Sequence, residues 1–174
     1  LLLGYTGLLS FGHATFFGGA AYFTAYTVKA WGLPPELGIL IGVAGAAFLG
    51  LVMGFFAIRR QGIYFAMITL ALAQMIFFFY LQAPFTHGED GIQSVPRGKL
   101  FGFIDLSNIL VMYYTVVVVF LAAFVFIYRI VNSPFGLSLR SIKGNTLRAA
   151  AIGIPVDRRL IAVYTVAAFY AGVA

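Results

Sequence analysis

Three uncharged apolar runs, each long enough to cross a lipid bilayer, constrain this chain more than any other feature. Residues 37–58, 63–81 and 109–128 contain no Asp, Glu, Lys or Arg. An α-helix needs about 20 apolar residues to cross roughly 30 Å of hydrocarbon. With 62% hydrophobic residues among 174, the chain also carries more apolar surface than a soluble domain can bury. We therefore expect an all-α fold, a polytopic transmembrane helical bundle.

Both ends of the chain are also apolar. Residues 160–174 begin a further span that the sequence leaves incomplete. Residues 1–28 are rich in Gly, Ser and Thr and include a His, so we expect a kinked, broken or partly re-entrant segment there. Because both ends fall inside apolar runs, we expect the sequence to be a fragment of a single transmembrane domain, truncated at both ends.

The basic residues are distributed unevenly among the loops. The loops at 59–61 and 129–159 hold eight of the eleven Lys and Arg residues and a single acid, Asp157. Cytoplasmic loops of membrane proteins carry an excess of positive charge. The pattern therefore places these two loops in the cytoplasm and the loops near 29–36 and 82–108 outside. Because this orientation explains the net charge of +6, we expect no nucleic-acid partner.

Small residues recur every four positions in the run 37–58. They are Gly38, Gly42, Ala46, Gly50 and Gly54. Such a ridge lets another helix approach closely. Packing within the chain is the favoured interpretation, and a subunit interface is the alternative.

Polar side chains at membrane depth mark a candidate translocation path. They are Ser10, His13, Thr69 and Gln74. Buried polar groups in membrane spans either line a wet path or link neighbouring helices by hydrogen bonds. The sequence leaves both interpretations open. No catalytic or metal-binding role is expected for His13, because no carboxylate or second His lies nearby.

The outer loop 86–91 gathers the densest ionisable cluster, His87, Glu89 and Asp90. Their spacing matches no specific metal site. A solvated turn is the favoured interpretation, and contact with a delivered substrate or its carrier is the alternative. We expect no metal site and no catalytic residue, and the absence of cysteine excludes thiolate chemistry.

The segment 133–154, which we call the cytoplasmic island, combines basic residues with helix signals. Ser133 can cap a helix that starts at Pro134 and stops at Gly144-Asn145, and a second short helix is expected at 146–152. In the first helix an apolar stripe is formed by Phe135, Leu139 and Ile142. Such a segment can lie on a lipid surface or dock onto a protein, and periodicity alone does not separate the two.

The island has the sequence S-P-F-G-L-S-L-R-S-I-K-G-N-T-L-R-A-A-A-I-G-I. It resembles the cytoplasmic loop of the permease subunits of bacterial ABC importers for branched-chain amino acids. Three further blocks resemble the same family in the same order along the chain. They are G-Y-T-G-L-L-S-F-G-H-A at 4–14, G-I-Y-F-A-M-I-T-L-A at 62–71 and G-E-D-G-I at 88–92.

The resemblance implies a fragment of an ABC importer transmembrane domain with a cytoplasmic coupling helix, located in the bacterial plasma (inner) membrane. The implied partners are two cytoplasmic ATPase subunits, a related second permease and an extracytoplasmic substrate-binding protein. The implied ATPase-coupling residues are Ser133, Pro134, Phe135, Gly136, Leu139, Arg140, Ser141, Ile142, Lys143 and Asn145. The sequence departs from the family pattern at Gly144 and Thr146, where acids are common, and at Gln74, where Glu is frequent.

The chain does not contain the phosphate-binding pattern G-x-x-x-x-G-K-[ST]. We therefore expect ATP to bind the partner subunits, and expect no cofactor and no enzymatic activity in this chain. Branched-chain amino acids are the expected substrates, and urea or short amides are the alternative within the family. From other classes, the alternatives are an ATP-independent channel or secondary carrier, and a membrane enzyme that uses the His87, Glu89 and Asp90 cluster.

Overall fold

The structure, a computed structural model, describes residues 1–59, 62–83, 86, 91–93, 95, 99–100, 104–105 and 108–174. The described residues form eight helices and one short antiparallel ribbon. The helices are α1 (Leu2–Thr6), α2 (His13–Ala30), α3 (Pro35–Ala57), α4 (Ile63–Gln82), α5 (Ile109–Val131), α6 (Pro134–Gly144), α7 (Thr146–Ala151) and α8 (Val156–Val173). The ribbon pairs β1 (Lys99–Leu100) with β2 (Ile104–Asp105). The prediction of an all-α fold is confirmed, since this ribbon is the only sheet in the described ranges.

Helices α3, α4 and α5 are each long and apolar enough to cross a membrane. They coincide with the three uncharged runs, and the largest difference is at the end of α5, which reaches Val131 instead of 128. Helix α8 starts earlier than its apolar run, at Val156, with Asp157 in its first turn. An acid in the first turn interacts favourably with the positive end of the helix dipole.

The first apolar segment is interrupted between α1 and α2. Helix α1 ends at Thr6 and is followed by the C-cap residue Gly7, whose φ of 73° is the left-handed conformation that glycine adopts easily. The chain stays non-helical until α2 starts at His13. The irregular segment expected at 1–28 is thus a short helix, a break at residues 7–12 and a long helix.

Helices α2, α3 and α8 pack against one another and form the core. The small-residue ridge of α3 lies at these contacts. A Cβ added at Gly38 would lie 2.6 Å from Val28 Cγ2 of α2, and one added at Gly50 would overlap Ala168 Cβ of α8. The ridge therefore serves packing within the chain, the interpretation favoured from the sequence.

Helices α4 and α5 lie at the edge of this core. Helix α4 buries Phe65, Thr69 and Ala73 and exposes its other side. Along α5 only Val131, its last residue, is buried. A helix that is apolar on all sides belongs inside a membrane or a larger core. Lipid or further protein therefore covers α5 in the membrane.

Candidate functional site

The turn between α5 and α6 sets the direction of the cytoplasmic island. Ser133 occupies the N-cap position of α6 with extended backbone, and Pro134 follows in the first turn, where its missing N–H costs nothing. The predicted side-chain cap is wrong, because the Ser133 hydroxyl donates to Ile130 O (2.6 Å) and accepts no bond from α6. Gly136 is buried against α5, and an added Cβ would overlap the carbonyl oxygen of Val131.

The apolar stripe of α6 faces the interior of the chain. Leu139 and Ile142 are fully buried, in the same cluster as Leu2 of α1 and Leu160 of α8. Phe135 is half-buried. Of the predicted coupling residues, Gly136, Leu139 and Ile142 are buried and anchor the island to its own chain.

Two basic residues of α6 fasten it to α1. Lys143 Nζ donates to Gly4 O (2.9 Å), and the Arg140 guanidinium lies 5.2 Å above the centre of the Tyr5 ring. A cation over an aromatic face is attracted by the ring quadrupole. Both basic side chains therefore bridge the island to the first helix, 139 residues away in the case of Lys143 and Gly4.

The island consists of two helices that meet at Asn145. The Asn145 backbone N–H donates to Ser141 O (3.2 Å), and Asn145 Oδ1 accepts from the Arg148 backbone N–H (3.0 Å), which caps α7. Ala149 of α7 is buried. Helix α7 ends at Ala151, one residue before the predicted end. The island is therefore a pair of short helices in which α7 is capped by Asn145 and both helices are anchored to the rest of the chain by buried side chains.

Sequence reasoning missed the exposed apolar residues of the island. Leu137 is 61% exposed and Leu147 is 82% exposed. Leu137 and Gly144 lie seven residues apart on the side of α6 opposite the buried stripe. Leu137 lies two residues from both Phe135 and Leu139, and a helix turns such a residue away from both. This spacing was the signal in the sequence that Leu137 is exposed. We call the exposed surface that carries Leu137 and Leu147 the outer face of the island.

The break between α1 and α2 is held by hydrogen bonds to two other helices. The hydroxyls of Ser10 and Tyr164 share a hydrogen bond (3.3 Å), and the Phe11 backbone N–H donates to Thr69 Oγ1 (3.3 Å). Thr69 Oγ1 itself donates to Ala66 O (2.9 Å). Ser10 and Thr69 thus link helices, which was one of the two interpretations open from the sequence.

Tyr164 of α8 is the centre of this region, and sequence reasoning missed it. Its ring is fully buried and lies edge-on to the rings of Phe16, Phe65 and His13, at 5.7, 5.8 and 6.0 Å between centroids. A buried Tyr needs a partner for its hydroxyl. That requirement is the signal that could have singled out Tyr164 in the run 160–174.

Gln74 lies apart from the Ser10, His13 and Thr69 group. It is exposed on α4 and lines a groove of about 370 Å³ between α2 and α4. Thr15, Tyr22 and Tyr80 line the same groove. A second groove of about 370 Å³ lies nearer the start of α4 and is lined by Gly7, Leu9, Gly62, Ile63 and Met67, among others. Among the residues that the structure describes, no charged side chain lines either groove.

The outer-loop cluster His87, Glu89 and Asp90 lies outside the described residues. In the rest of the chain, as far as the structure describes it, no three His, Cys, Asp or Glu residues are grouped so that they could hold a metal ion.

The chain is similar to known membrane transport proteins. The sequence model of a family described as the permease component of branched-chain amino acid transport systems matches residues 1–174. The high-affinity branched-chain amino acid transport system permease protein LivM of Escherichia coli is 24% identical, and that of Salmonella typhimurium is 23% identical. Each alignment covers 100% of this chain and 46% of the relative, so the chain spans about half the length of both. No solved structure matches the chain significantly.

Proposed function

The chain belongs to the family of branched-chain amino acid transport system permease components, and from that membership we propose that it is the permease subunit of an ATP-driven importer for branched-chain or related amino acids. ATP binds two cytoplasmic ATPase subunits, and this chain supplies no catalytic residue and no cofactor. A related second permease and an extracytoplasmic substrate-binding protein complete the importer. The chain lies in the bacterial plasma membrane with 59–61 and 129–159 in the cytoplasm.

The observation that carries the proposal is the construction of the island. A segment that only lay on lipid would turn its apolar stripe toward the membrane. Here Leu139 and Ile142 of that stripe are buried inside the chain, while Leu137 and Leu147 stay exposed. An anchored helix pair that presents a few apolar residues among basic ones is suited to dock into a groove of another protein. The protein that carries this groove is, in the proposal, the ATPase.

The lining of the two grooves is suited to a small substrate without net charge. A lining of apolar and neutral polar side chains, such as Thr15, Tyr22 and Gln74, attracts neither a cation nor an anion. A zwitterionic amino acid with an aliphatic side chain fits this chemistry, and the names of the curated relatives point to the same substrates. Urea or a short amide fits the neutral lining as well, and competition for uptake distinguishes these substrates.

The test of ATPase docking changes the outer face of the island. Replacing Leu137→Asp together with Leu147→Asp places charge on two exposed apolar side chains without touching the buried stripe. We expect normal membrane insertion and at least a tenfold loss of affinity for the ATPase, since each tenfold corresponds to about 1.4 kcal/mol. Arg140 and Lys143 are less suitable targets, because their contacts with α1 would be lost at the same time.

The matched control is Trp31→Asp, at the outer end of α2, where the side chain is 63% exposed. It adds an acid to an exposed apolar site on the opposite side of the membrane and should leave ATPase binding unchanged. Co-purification of the ATPases with the assembled permease measures both variants. Undiminished co-purification of the double variant would overturn the docking proposal.

A further inference from the structure

We propose that Phe11 and Leu70 form the apolar barrier between an outer and an inner half of one translocation path. Both residues line both grooves, so they stand at the partition between the two. The proposal rests on the proposed function for the orientation of the chain and for the path itself. It adds which residues keep the path closed.

Helix α4 shows that the two grooves follow one another across the membrane. The inner groove contacts α4 from Ile63 to Leu70, next to the loop 59–61. The outer groove contacts α4 from Leu70 to Leu81, at the opposite end. At 1.5 Å per residue the distance from Ile63 to Leu81 is roughly 27 Å, close to the thickness of the hydrocarbon. Leu70 lies near the middle of this length.

Phe11 is placed at the same depth by the break in the first segment. Its backbone N–H is held by Thr69 Oγ1, the residue before Leu70, and its side chain remains 54% exposed toward the grooves. Gly12 leaves little room for adjustment, because an added Cβ would lie 3.1 Å from Met53 Cε and 3.2 Å from Tyr164 Oη. The break therefore presents Phe11 at a fixed height along α4.

An apolar constriction is an effective barrier to an amino acid. Stripping the hydration shell from its ammonium and carboxylate groups without polar partners costs a large free energy. Hydrophobic constrictions close membrane pores for the same reason. The polar Thr15, Tyr22 and Gln74 lie in the outer groove beyond the barrier, where a substrate can wait.

The contacts of α1 connect the barrier to the cytoplasmic island. Helix α1 leads directly into the break. Helix α6 contacts α1 through the hydrogen bond from Lys143 to Gly4 and the cation–π contact of Arg140 with Tyr5. A shift of α6 therefore pulls on the residues just before Phe11. The bond from Phe11 to Thr69 is a single neutral hydrogen bond of 3.3 Å, and such a bond contributes little enough to stability that it can break during transport.

The first test is Phe11→Ala in the full-length permease, assembled with its partners in vesicles. We expect ATP-independent passage of radiolabelled leucine at ten or more times the rate of the unaltered protein, because removal of the ring opens the constriction. The control is Phe17→Ala: Phe17 is also 54% exposed but lines neither groove. A Phe11→Ala rate equal to that of Phe17→Ala would overturn the barrier.

The second test keeps Phe11 and Leu70 intact. The test introduces a single cysteine by Gln74→Cys or by Met67→Cys. The two positions lie seven residues apart on one face of α4 with Leu70 between them, and Gln74 lines only the outer groove while Met67 lines only the inner one. No cysteine occurs in these 174 residues, and those elsewhere in the assembly are replaced. A membrane-impermeant maleimide should label Gln74→Cys only from outside and Met67→Cys only from the cytoplasm. Labelling of both from one side in the resting state would overturn the barrier.

The outcomes separate this proposal from the proposed function. ATP-driven uptake by the unaltered assembly, combined with a tight Phe11→Ala variant, contradicts the barrier and leaves the importer function standing. Sided labelling with a leaky Phe11→Ala variant, but no ATP-driven uptake by the unaltered assembly, contradicts the importer function and supports the barrier. If Phe11→Ala does not assemble, the labelling experiment decides alone.

Discussion

Gly136 is the single residue on which the position of the cytoplasmic island depends most directly. It brings the backbone of α6 against Val131 O, where no Cβ fits. Gly136→Ala should force the turn between α5 and α6 open and destabilise the protein by about 1–3 kcal/mol, as overpacking does. Thermal unfolding of the detergent-solubilised protein measures the loss.

Gly144→Ala is the matched control for that prediction. Gly144 ends the same helix, but an added Cβ would have nothing within 4 Å. Because Ala is the better helix former, this variant should be as stable as the unaltered protein or slightly more stable. Equal unfolding temperatures for both variants would contradict the role assigned to Gly136.

At the residue scale, the sequence predicted that polar side chains at membrane depth need partners, but not which groups they contact. Ser10 and Thr69 were identified because polar groups at membrane depth need partners, and each has one. Tyr164 was missed because a Tyr in an apolar run resembles its neighbours. The stripe of Leu139 and Ile142 was visible in the periodicity, but periodicity does not say whether a stripe faces a partner or the protein's own core.

At the scale of elements, helix bounds followed from the sequence wherever a long apolar run determined them. The break in the first segment was expected, but its place at residues 7–12 was not. Its position depends on tertiary contacts, because Thr69 and Tyr164 satisfy its polar groups from two other helices. Such partners lie 58 and 154 residues away along the chain, beyond any local pattern.

The small-residue ridge of α3 gives a prediction at the same scale. Gly50→Leu should separate α3 from α8, because even a Cβ at this position would overlap Ala168. We expect a lower unfolding temperature and a loss of assembled protein. Ala44→Leu, on the exposed side of the same helix, is the control and should change neither. A stable, assembled Gly50→Leu variant would show that α3 and α8 do not pack as described.

For the whole molecule, the fold is a three-helix core with attached helices that remain widely exposed. Helices α2, α3 and α8 form the core, while α5 buries almost none of its apolar surface. The chain spans 46% of the length of its curated relatives. In the proposed importer, the second permease and lipid cover the exposed apolar faces.

The most direct test of the central claim is leucine uptake by vesicles that contain the full-length permease with its proposed partners. The substrate-binding protein and radiolabelled leucine are supplied outside, and ATP or a non-hydrolysable analogue is enclosed inside. The account predicts accumulation with ATP, none with the analogue, and none when the ATPases are left out. A rate of uptake indifferent to the nucleotide would contradict it and indicate a channel or a secondary carrier.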